Sequence, residues 1–309
     1  MTLPTQREKT KATHADPQIL RAAAPARADR DRLDIVKGEI AFTRRSPEER
    51  AREVPEAVLA RYDAGLPQVL YDVDIRDARP IVNELSLDRE GFILVPHKTS
   101  CADVRDPDVM RQKYLDEMVP FIKDYFNASW VVPRHKYVVM RLASATPPAE
   151  GGRISYKAVR GTAYNAHIDY APVAAPMLAA QENQEQGIPI RVYSRLMIIQ
   201  TWRALSPPPQ DFPLAFADAS TTPTTDVFEH TFINPVGESF RSLSVHYSPL
   251  VRWYYFPNMH PDEVVLFKGY DSDRHYDYWS AHSAFDNRRA YPNALPRESV
   301  EARFYVYFD

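Results

Sequence analysis

The sequence predicts a mainly β protein with a jelly-roll core and flanking helices. Prolines outnumber glycines by 27 to 9, and proline is poorly tolerated inside helices but accepted at strand ends, sheet edges and turns. Many segments rich in aromatic and β-branched residues have the length and punctuation of strands. Because these strands follow an initial helical layer, one domain built on a jelly-roll barrel is the expected architecture.

Composition and charge exclude several function classes. Lysine and arginine (38) nearly balance aspartate and glutamate (41), so the net charge of −3 favours neither a nucleic-acid partner nor a membrane surface. No apolar run approaches the roughly 20 residues that span a bilayer, and the first residues lack the apolar core of a secretory signal. The single cysteine, Cys101, excludes an internal disulfide and a cysteine-based zinc cluster. No glycine-rich nucleotide motif occurs. We therefore expect a soluble cytoplasmic protein.

The first part of the chain reads as an arm followed by a helix. Residues 1–34 are polar, rich in alanine and arginine and without a period, so we expect a flexible arm. The domain is expected to occupy residues 35–309. Ser46 has the character of an N-cap, with proline at the next position and Glu49 closing a capping box, which predicts a helix to about Tyr62.

Later helices are few and strands are many. A helix is expected to begin at Asp106, and Pro120 should kink or split it. A short helix is expected near 177–186. The predicted strands are 68–73, 91–95, 137–142, 190–202, 227–233, 240–247, 251–256, 263–268 and 300–308. The last strand alternates: Val300, Ala302, Phe304, Val306 and Phe308 share one face, and Glu301, Arg303, Tyr305 and Tyr307 the other.

The segment 164–170, which reads YNAHIDY, is the most informative for chemistry. In an extended chain His167 and Asp169 project from the same face with their Cα atoms about 6–7 Å apart. An imidazole nitrogen and a carboxylate oxygen can then reach one metal ion about 2 Å from each. A second histidine would complete a facial triad that leaves one side of an Fe(II) ion open. On the tripeptide alone, a structural histidine beside an aspartate that caps a turn before Pro172 is the simpler interpretation.

The second histidine must come from a strand that can lie beside the first. The candidates are His230, His246, His260, His275 and His282. His282 differs from the others because Arg297 and Ser299 follow it at the start of the final strand. A 2-oxoglutarate-dependent oxygenase needs a buried cation for the distal carboxylate of its cosubstrate, and arginine binds carboxylates bidentately. Arg303 shares the parity of Arg297 and Ser299. In the alternative interpretation, Arg297 is a surface arginine paired with Glu298, and Arg303 pairs with Glu301.

Seven ordered blocks resemble the hydroxylase/desaturase family of non-haem Fe(II)/2-oxoglutarate-dependent oxygenases of specialised metabolism, which includes gibberellin desaturase-like, aspergillic-acid hydroxylase-like and cephamycin 7-hydroxylase component-like proteins. The blocks are HIDY at 167–170, IIQTWR at 198–203, FPLA at 212–215 with Asp218, RWYYFPNM at 252–259, FKGYDS at 267–272, HSAFD at 282–286 and PRESVEAR at 296–303. Two departures from the family pattern, Ala204 and Ala281 in place of proline, affect loop geometry and leave the blocks' polar residues in place.

The resemblance implies a double-stranded β-helix (cupin-like) core in which His167, Asp169 and His282 bind Fe(II). It implies 2-oxoglutarate and dioxygen as cosubstrates, with Arg297 as the anchor for the distal carboxylate and Arg303 as the reserve candidate. Ser299 would add a hydrogen bond to the same carboxylate. The expected function is hydroxylation, desaturation or cyclisation of a small-molecule intermediate in natural product biosynthesis.

Several aromatic residues and one arginine are candidates for lining the substrate cavity. They are Tyr170, Trp202, Arg203, Trp253 and Tyr255. The alternative for each aromatic residue is core packing, and the alternative for Arg203 is a salt bridge in the core. Two other functions are compatible with the motifs: a partner subunit of a methyltransferase-type tailoring enzyme, and a metal-dependent hydrolase or isomerase that uses the same triad. Both a homodimer and a complex with a biosynthetic partner fit the sequence.

Overall fold

A computed structural model describes residues 28–49, 66–143, 158–159, 163–233, 239–273 and 279–309. The strands are β1 Ile35–Thr43, β2 Gln68–Asp77, β3 Phe92–Pro96, β4 Trp130–Pro133, β5 Val139–Arg141, β6 Ala158–Val159, β7 His167–Ile168, β8 Arg195–Ala204, β9 Leu214–Ala217, β10 Val227–Ile233, β11 Ser239–Val245, β12 Trp253–Tyr255, β13 Glu263–Asp271, β14 His282–Ala284 and β15 Ser299–Phe308. The α-helices are α1 Pro107–Phe126 and α2 Ala175–Glu185.

The strands form two sheets. The first sheet has the order β1-β2-β12-β9-β14-β7-β11-β10, and the second has the order β3-β13-β8-β15-β5-β6, with β4 paired to β15. From β7 onward the chain passes repeatedly from one sheet to the other, since β8, β13 and β15 belong to the second sheet and the intervening strands to the first. This topology confirms the predicted mainly β fold with a jelly-roll core.

The second sheet buries both of its faces. On one face Val300 and Phe304 of β15 pack with Met118 of α1 in an apolar cluster. Successive strand residues point to opposite faces, so Glu301 and Arg303 lie on the other face, which is directed at the first sheet. The alternation predicted for this strand is confirmed, and its polar face is the inner one. We call this face, between the two sheets, the inner face.

The first sheet curls around a second apolar cluster. The N–H of Ala41 in β1 donates to the carbonyl of Tyr164 at 3.0 Å, and the N–H of Ala166 donates back to Ala41 at 2.8 Å, so β1 contacts the segment that precedes β7 as well as β2. The enclosed cluster includes Ile168 and Phe285. Because Ile168 faces this cluster, the preceding residue in β7 faces the second sheet.

Gly38 in β1 is a close-packed position. A Cβ atom there would lie 2.5 Å from Cδ2 of Phe285 and 2.7 Å from Cδ1 of Ile75, and both of these side chains are fully buried. We expect Gly38→Ala to lower the free energy of unfolding by about 1–3 kcal/mol, because overpacking forces neighbouring side chains out of place. Urea denaturation measures this, with Lys37→Ala at the exposed neighbouring position as the control. Equal midpoints for the two variants would contradict the close packing.

Helix α1 is continuous through Pro120, so of the expected kink or split the split does not occur. Its start agrees with the prediction: Asp106 is the N-cap, and its carboxylate accepts hydrogen bonds from two main-chain N–H groups of the first turn at 3.0 and 2.9 Å. Proline removes one hydrogen bond of the helix. The apolar face that carries Met118 and Ile122, packed on the second sheet, holds the helix together across that position.

Other boundaries also differ from the prediction. The strand expected over 190–202 begins only at Arg195, and β1, β4, β9 and β14 were not predicted. Residues 46–49, the described part of the first predicted helix, form a turn, and residues 50–62 lie outside the described residues. No helix among the described residues is both long enough and apolar enough to cross a membrane.

Residues 28–34, the described end of the predicted arm, contact the rest of the protein. The N–H of Ala28 donates to the Glu84 carboxylate at 2.8 Å. Nη1 of Arg30 lies 2.8 Å from Oε1 of Glu90 and 3.5 Å from Oδ2 of Asp218. Residues 1–27 lie outside the described residues, so the arm remains a prediction.

Candidate metal centre

Two histidines and one aspartate meet on the inner face of the first sheet. His167 in β7 and His282 in β14 lie opposite each other on paired strands, and their ring centroids are 4.5 Å apart. Asp169 follows β7 and places Oδ1 3.4 Å from Nε2 of His167. One ligand atom of each residue lies within 4.8 Å of the others. The structure thus brings together the His-x-Asp pair and the histidine that the sequence indicated.

Both imidazole rings are oriented by main-chain carbonyl groups. Nδ1–H of His167 donates to the carbonyl of Asn165 at 2.8 Å, and Nδ1–H of His282 donates to that of Ser280 at 3.3 Å. This tautomer leaves the Nε2 lone pair of each ring as the ligand atom. Burial, together with the neighbouring His167, lowers the pKa of His282 to about 4. A neutral imidazole is the form that binds a metal ion.

The Asp169 carboxylate is held by Arg303. Its Oδ2 accepts hydrogen bonds from Nη2 of Arg303 at 2.9 Å and from Nε at 3.3 Å. Burial by itself would raise the pKa of Asp169, but the charge of Arg303 outweighs burial and holds that pKa well below its usual range. One carboxylate oxygen is therefore fixed by the arginine and the other faces the histidines. When both imidazoles are neutral, their Nε2 atoms and the ionised carboxylate form the donor set that suits a divalent transition metal with open positions.

Arg303 belongs to a chain of alternating charges. Oε1 of Glu301 lies 3.3 Å from both terminal nitrogens of Arg303 and 3.5 Å from Nη2 of Arg141. Arg303 thus lies between two carboxylates, those of Asp169 and Glu301. The pairing of Arg303 with Glu301, which was the alternative interpretation, does occur, beside the contact with Asp169. The sequence analysis did not identify Glu301 as a carboxylate beside Arg303 near the centre. The available signal was their spacing of two in the last strand, which puts both side chains on one face.

Arg297 and Ser299 lie at the start of β15, on the same side as the centre. Arg297 is 6% exposed, its Nη1 donates to the carbonyl of Phe212 at 2.8 Å, and its Cζ lies 5.7 Å from the ring centroid of Trp202. Ser299 is 1% exposed. The alternative of a surface pair between Arg297 and its neighbour Glu298 is wrong, because Glu298 pairs with Arg105 at 2.7 Å and Arg297 is buried.

Buried polar atoms without partners mark the face next to Arg297. Among the described residues, Nε1 of Trp202 and Oε1 of Gln200 have no hydrogen-bond partner. Both residues lie on β8, two positions apart, and so share the inner face. Buried polar groups are normally hydrogen-bonded. A polar ligand in this cavity would satisfy them, which fits the organic acid that the resemblance implies.

The structure corrects three of the predicted cavity residues. Trp253 and Tyr255 lie in the apolar cluster enclosed by the first sheet, on the face opposite the histidines. Arg203 lies on the outer face of the second sheet, where its Nη1 donates to the carbonyl of His97 at 2.9 Å. Strand alternation indicates which side chains share a face of a strand, but it does not indicate which face lines the cavity. Tyr170 directly follows Asp169, and Trp202 lies beside Arg297, so these two are near the centre.

A second polar cluster near the centre was missed. Ser244 of β11 pairs in register with His167. The ring nitrogens of His230, Nε2 and Nδ1, lie 3.2 and 3.1 Å from the hydroxyl oxygens of Ser242 and Ser244. The sequence signal that could have predicted this cluster is the spacing of two between Ser242 and Ser244, which puts both hydroxyl groups on the face that carries His167.

Jelly-roll sheets that place two histidines and a carboxylate around one cavity are typical of mononuclear non-haem iron oxygenases. A family profile described as an oxidoreductase/YMDC permease-like domain matches residues 43–307. The chain therefore belongs to this oxidoreductase family.

Individual relatives agree with this assignment and confirm the resemblance found in the sequence. The hydroxylase/desaturase efuI of Hormonema carpetanum is 30% identical over 253 residues, which cover 77% of this chain and 83% of the relative. The alpha-ketoglutarate-dependent dioxygenase tstK of Talaromyces stipitatus is 28% identical over 244 residues, covering 77% and 86%. A solved structure of the iron and alpha-ketoglutarate-dependent endoperoxidase NvfI has a TM-score of 0.67 at 23% identity, covering 88% of this chain and 97% of that one, and so shares the fold.

Proposed function

We propose that this protein is an Fe(II)- and 2-oxoglutarate-dependent dioxygenase that hydroxylates, desaturates or cyclises a small molecule in natural product biosynthesis. The observation that carries the proposal is the cluster of His167, Asp169 and His282, whose ligand atoms lie within 4.8 Å of one another on the inner face. Two relatives of the chain, a hydroxylase/desaturase and an alpha-ketoglutarate-dependent dioxygenase, support the choice of metal and cosubstrate.

Each polar residue of the centre has a separate task in this proposal. His167, Asp169 and His282 would hold Fe(II), and the iron supplies dioxygen activation coupled to oxidation of 2-oxoglutarate. Arg303 fixes one oxygen of Asp169, so that the other oxygen remains free for the ion. His282 is buried and the other two ligands are half-buried, which strengthens these charge interactions relative to those in bulk water.

Arg297, with Ser299, is the residue that we assign to the distal carboxylate of 2-oxoglutarate. Arg303 already contacts two carboxylates, whereas the guanidinium group of Arg297 is buried beside Trp202, whose Nε1 has no hydrogen-bond partner among the described residues. A planar guanidinium can bind a carboxylate with two parallel hydrogen bonds. The proposal includes a single oxygenase domain over residues 35–309, which the family match over 43–307 supports. It also includes a cytoplasmic location and the absence of nucleic-acid and membrane partners.

The test is anaerobic reconstitution with Fe(II), followed by visible spectra with and without 2-oxoglutarate. A weak charge-transfer band that appears only with 2-oxoglutarate is expected, and glutarate, which lacks the keto group, should produce none. Bound iron without a band would favour the hydrolase or isomerase alternative. Failure to bind iron at all would favour the partner-subunit alternative. Either of these two results would overturn the proposal.

A further inference from the structure

Arg134 is a buried cation close to the metal centre. It follows β4, is 6% exposed, and its main-chain N–H donates to the carbonyl of Arg303 at 2.8 Å. Among the described residues its side chain makes one hydrogen bond, from Nη1 to the hydroxyl of Tyr170 at 3.3 Å. Tyr170 directly follows Asp169, so the Arg134 guanidinium contacts the residue next in sequence to a ligand of the centre.

Aromatic rings surround the Arg134 guanidinium. Its Cζ lies 3.4 Å from the ring centroid of Tyr137, 5.5 Å from that of Phe240 and 5.9 Å from that of Tyr170. Ring faces attract a cation by about 0.5–2 kcal/mol each, but they give its N–H groups no in-plane acceptor. Among the residues that the structure describes, the one hydrogen bond of the Arg134 side chain goes to a neutral hydroxyl group and none goes to a carboxylate.

Other buried cations of the protein have acceptors within the fold. Arg303 contacts Asp169 and Glu301. Nζ of Lys268 lies 2.7 Å from Asp88 and 2.8 Å from Asp271. Burying a charge without a partner costs several kcal/mol even after relaxation. Arg134 therefore differs from these cations in a way that indicates an anion supplied from outside the chain.

The position of Arg134 relative to the centre defines where that anion would lie. Ser244 of β11 is paired with His167, and Phe240, which contacts Arg134, is four residues along the same strand. At about 3.3 Å per residue the two positions are about 13 Å apart. His230 and Ser242 lie between them and provide polar groups on the same face. The inner face of β11 therefore carries polar groups between the metal centre and Arg134.

We propose that Arg134, Tyr137, Tyr170 and Phe240 form a carboxylate-binding site for the organic substrate. The substrate is then an organic acid whose carboxylate lies on the order of 10 Å from the reacting carbon. Arg134 would bind the carboxylate through its planar fork, and the rings would cover the adjoining carbon atoms. The carboxylate site itself follows from the surroundings of Arg134; its assignment to the substrate rests on the proposed function.

Isothermal titration of three acids and their primary amides tests this site. The probes are benzoate, 3-phenylpropionate and 4-phenylbutyrate, added anaerobically to enzyme loaded with Fe(II) and saturated with 2-oxoglutarate. At least one acid is expected to bind about tenfold or more tightly than its amide. Arg134→Gln should remove this difference, and Arg134→Lys, which keeps the charge but not the fork, should retain part of it. Thermal melts followed by circular dichroism verify that both variants are folded.

The outcomes separate this proposal from the proposed function. Equal binding of every acid and its amide to the wild-type protein, or a preference for acids that survives in Arg134→Gln, would overturn the carboxylate site. If Arg134→Gln weakens 2-oxoglutarate as much as it weakens the probe acids, the site belongs to the cosubstrate and its assignment to the substrate is overturned. If the wild type shows no charge-transfer band but its acid preference still depends on Arg134, the carboxylate site stands and the oxygenase assignment fails.

Discussion

Replacing His282 with alanine is expected to abolish iron binding, the 2-oxoglutarate-dependent visible band and turnover. Among the described residues, His282 supplies one of the two imidazole nitrogens of the centre, and its loss leaves as ligands His167 and Asp169, which are two positions apart in the chain. Mutating residues that merely orient a ligand costs about 10–100-fold in metal affinity, so loss of a ligand should cost more than about 100-fold. Iron content after anaerobic reconstitution and gel filtration measures the effect.

The matched control for this substitution is His246→Ala. His246 was also a candidate ligand, but its Nδ1–H donates to the carbonyl of Thr43 at 2.8 Å and its ring stacks on Phe228 at 4.7 Å. We expect this variant to keep one iron per chain. Since His282 is buried, a thermal melt must show that His282→Ala is folded. Full iron content in the folded His282→Ala variant would mean that the third ligand lies elsewhere.

Local pattern was sufficient where one short segment determines the geometry. The His-x-Asp spacing placed His167 and Asp169 on one face because side-chain direction in an extended chain has a period of two. The same rule predicted the two faces of β15. Helix α1 could be located because Asp106 and the following proline are a start signal that needs no tertiary information.

The local sequence pattern was insufficient for strands that form only because they pair with neighbouring strands of the sheet. Strands β9 and β14, with sequences LAFA and HSA, are short and lack a run of β-branched residues. They are strands because each has partners on both sides; His282 pairs with His167 on one side and Phe216 on the other. Likewise, both faces of the first sheet are buried, so the apolar character of Trp253 and Tyr255 could not indicate which face lines the cavity.

Arg297 and Arg303 show the same limit at the site itself. Their equal parity in the sequence predicted one shared cavity; Arg297 is buried, and Arg303 is half-buried against Asp169 of the centre. Their roles differ only because of what lies opposite each residue: Asp169 lies against Arg303, while Phe212 and Trp202 lie against Arg297. Such contacts join segments more than 80 residues apart, and no local pattern encodes them.

Substitutions of Arg297 and Arg303 are therefore expected to weaken different ligands, 2-oxoglutarate and iron respectively. Arg297→Gln should raise the 2-oxoglutarate concentration that gives the half-maximal band by at least about 30-fold, since losing one partner of a buried charge pair costs about 2–5 kcal/mol. Its iron content should stay at one per chain. Arg297→Lys should recover part of the affinity, because it restores the charge without the bidentate fork. Titrating 2-oxoglutarate into each Fe(II)-loaded variant measures these effects.

Arg303→Gln should instead weaken iron by about 10–100-fold, because Asp169 loses the group that orients it. Arg105→Gln is the control for both, since Arg105 pairs with Glu298 at the partly exposed edge of the same region and should change neither measurement. The opposite pattern, an Arg303→Gln variant with full iron and a raised 2-oxoglutarate requirement beside an unaffected Arg297→Gln, would exchange the two assignments. Measuring iron and cosubstrate separately is essential, since an activity assay alone would register both variants as losses.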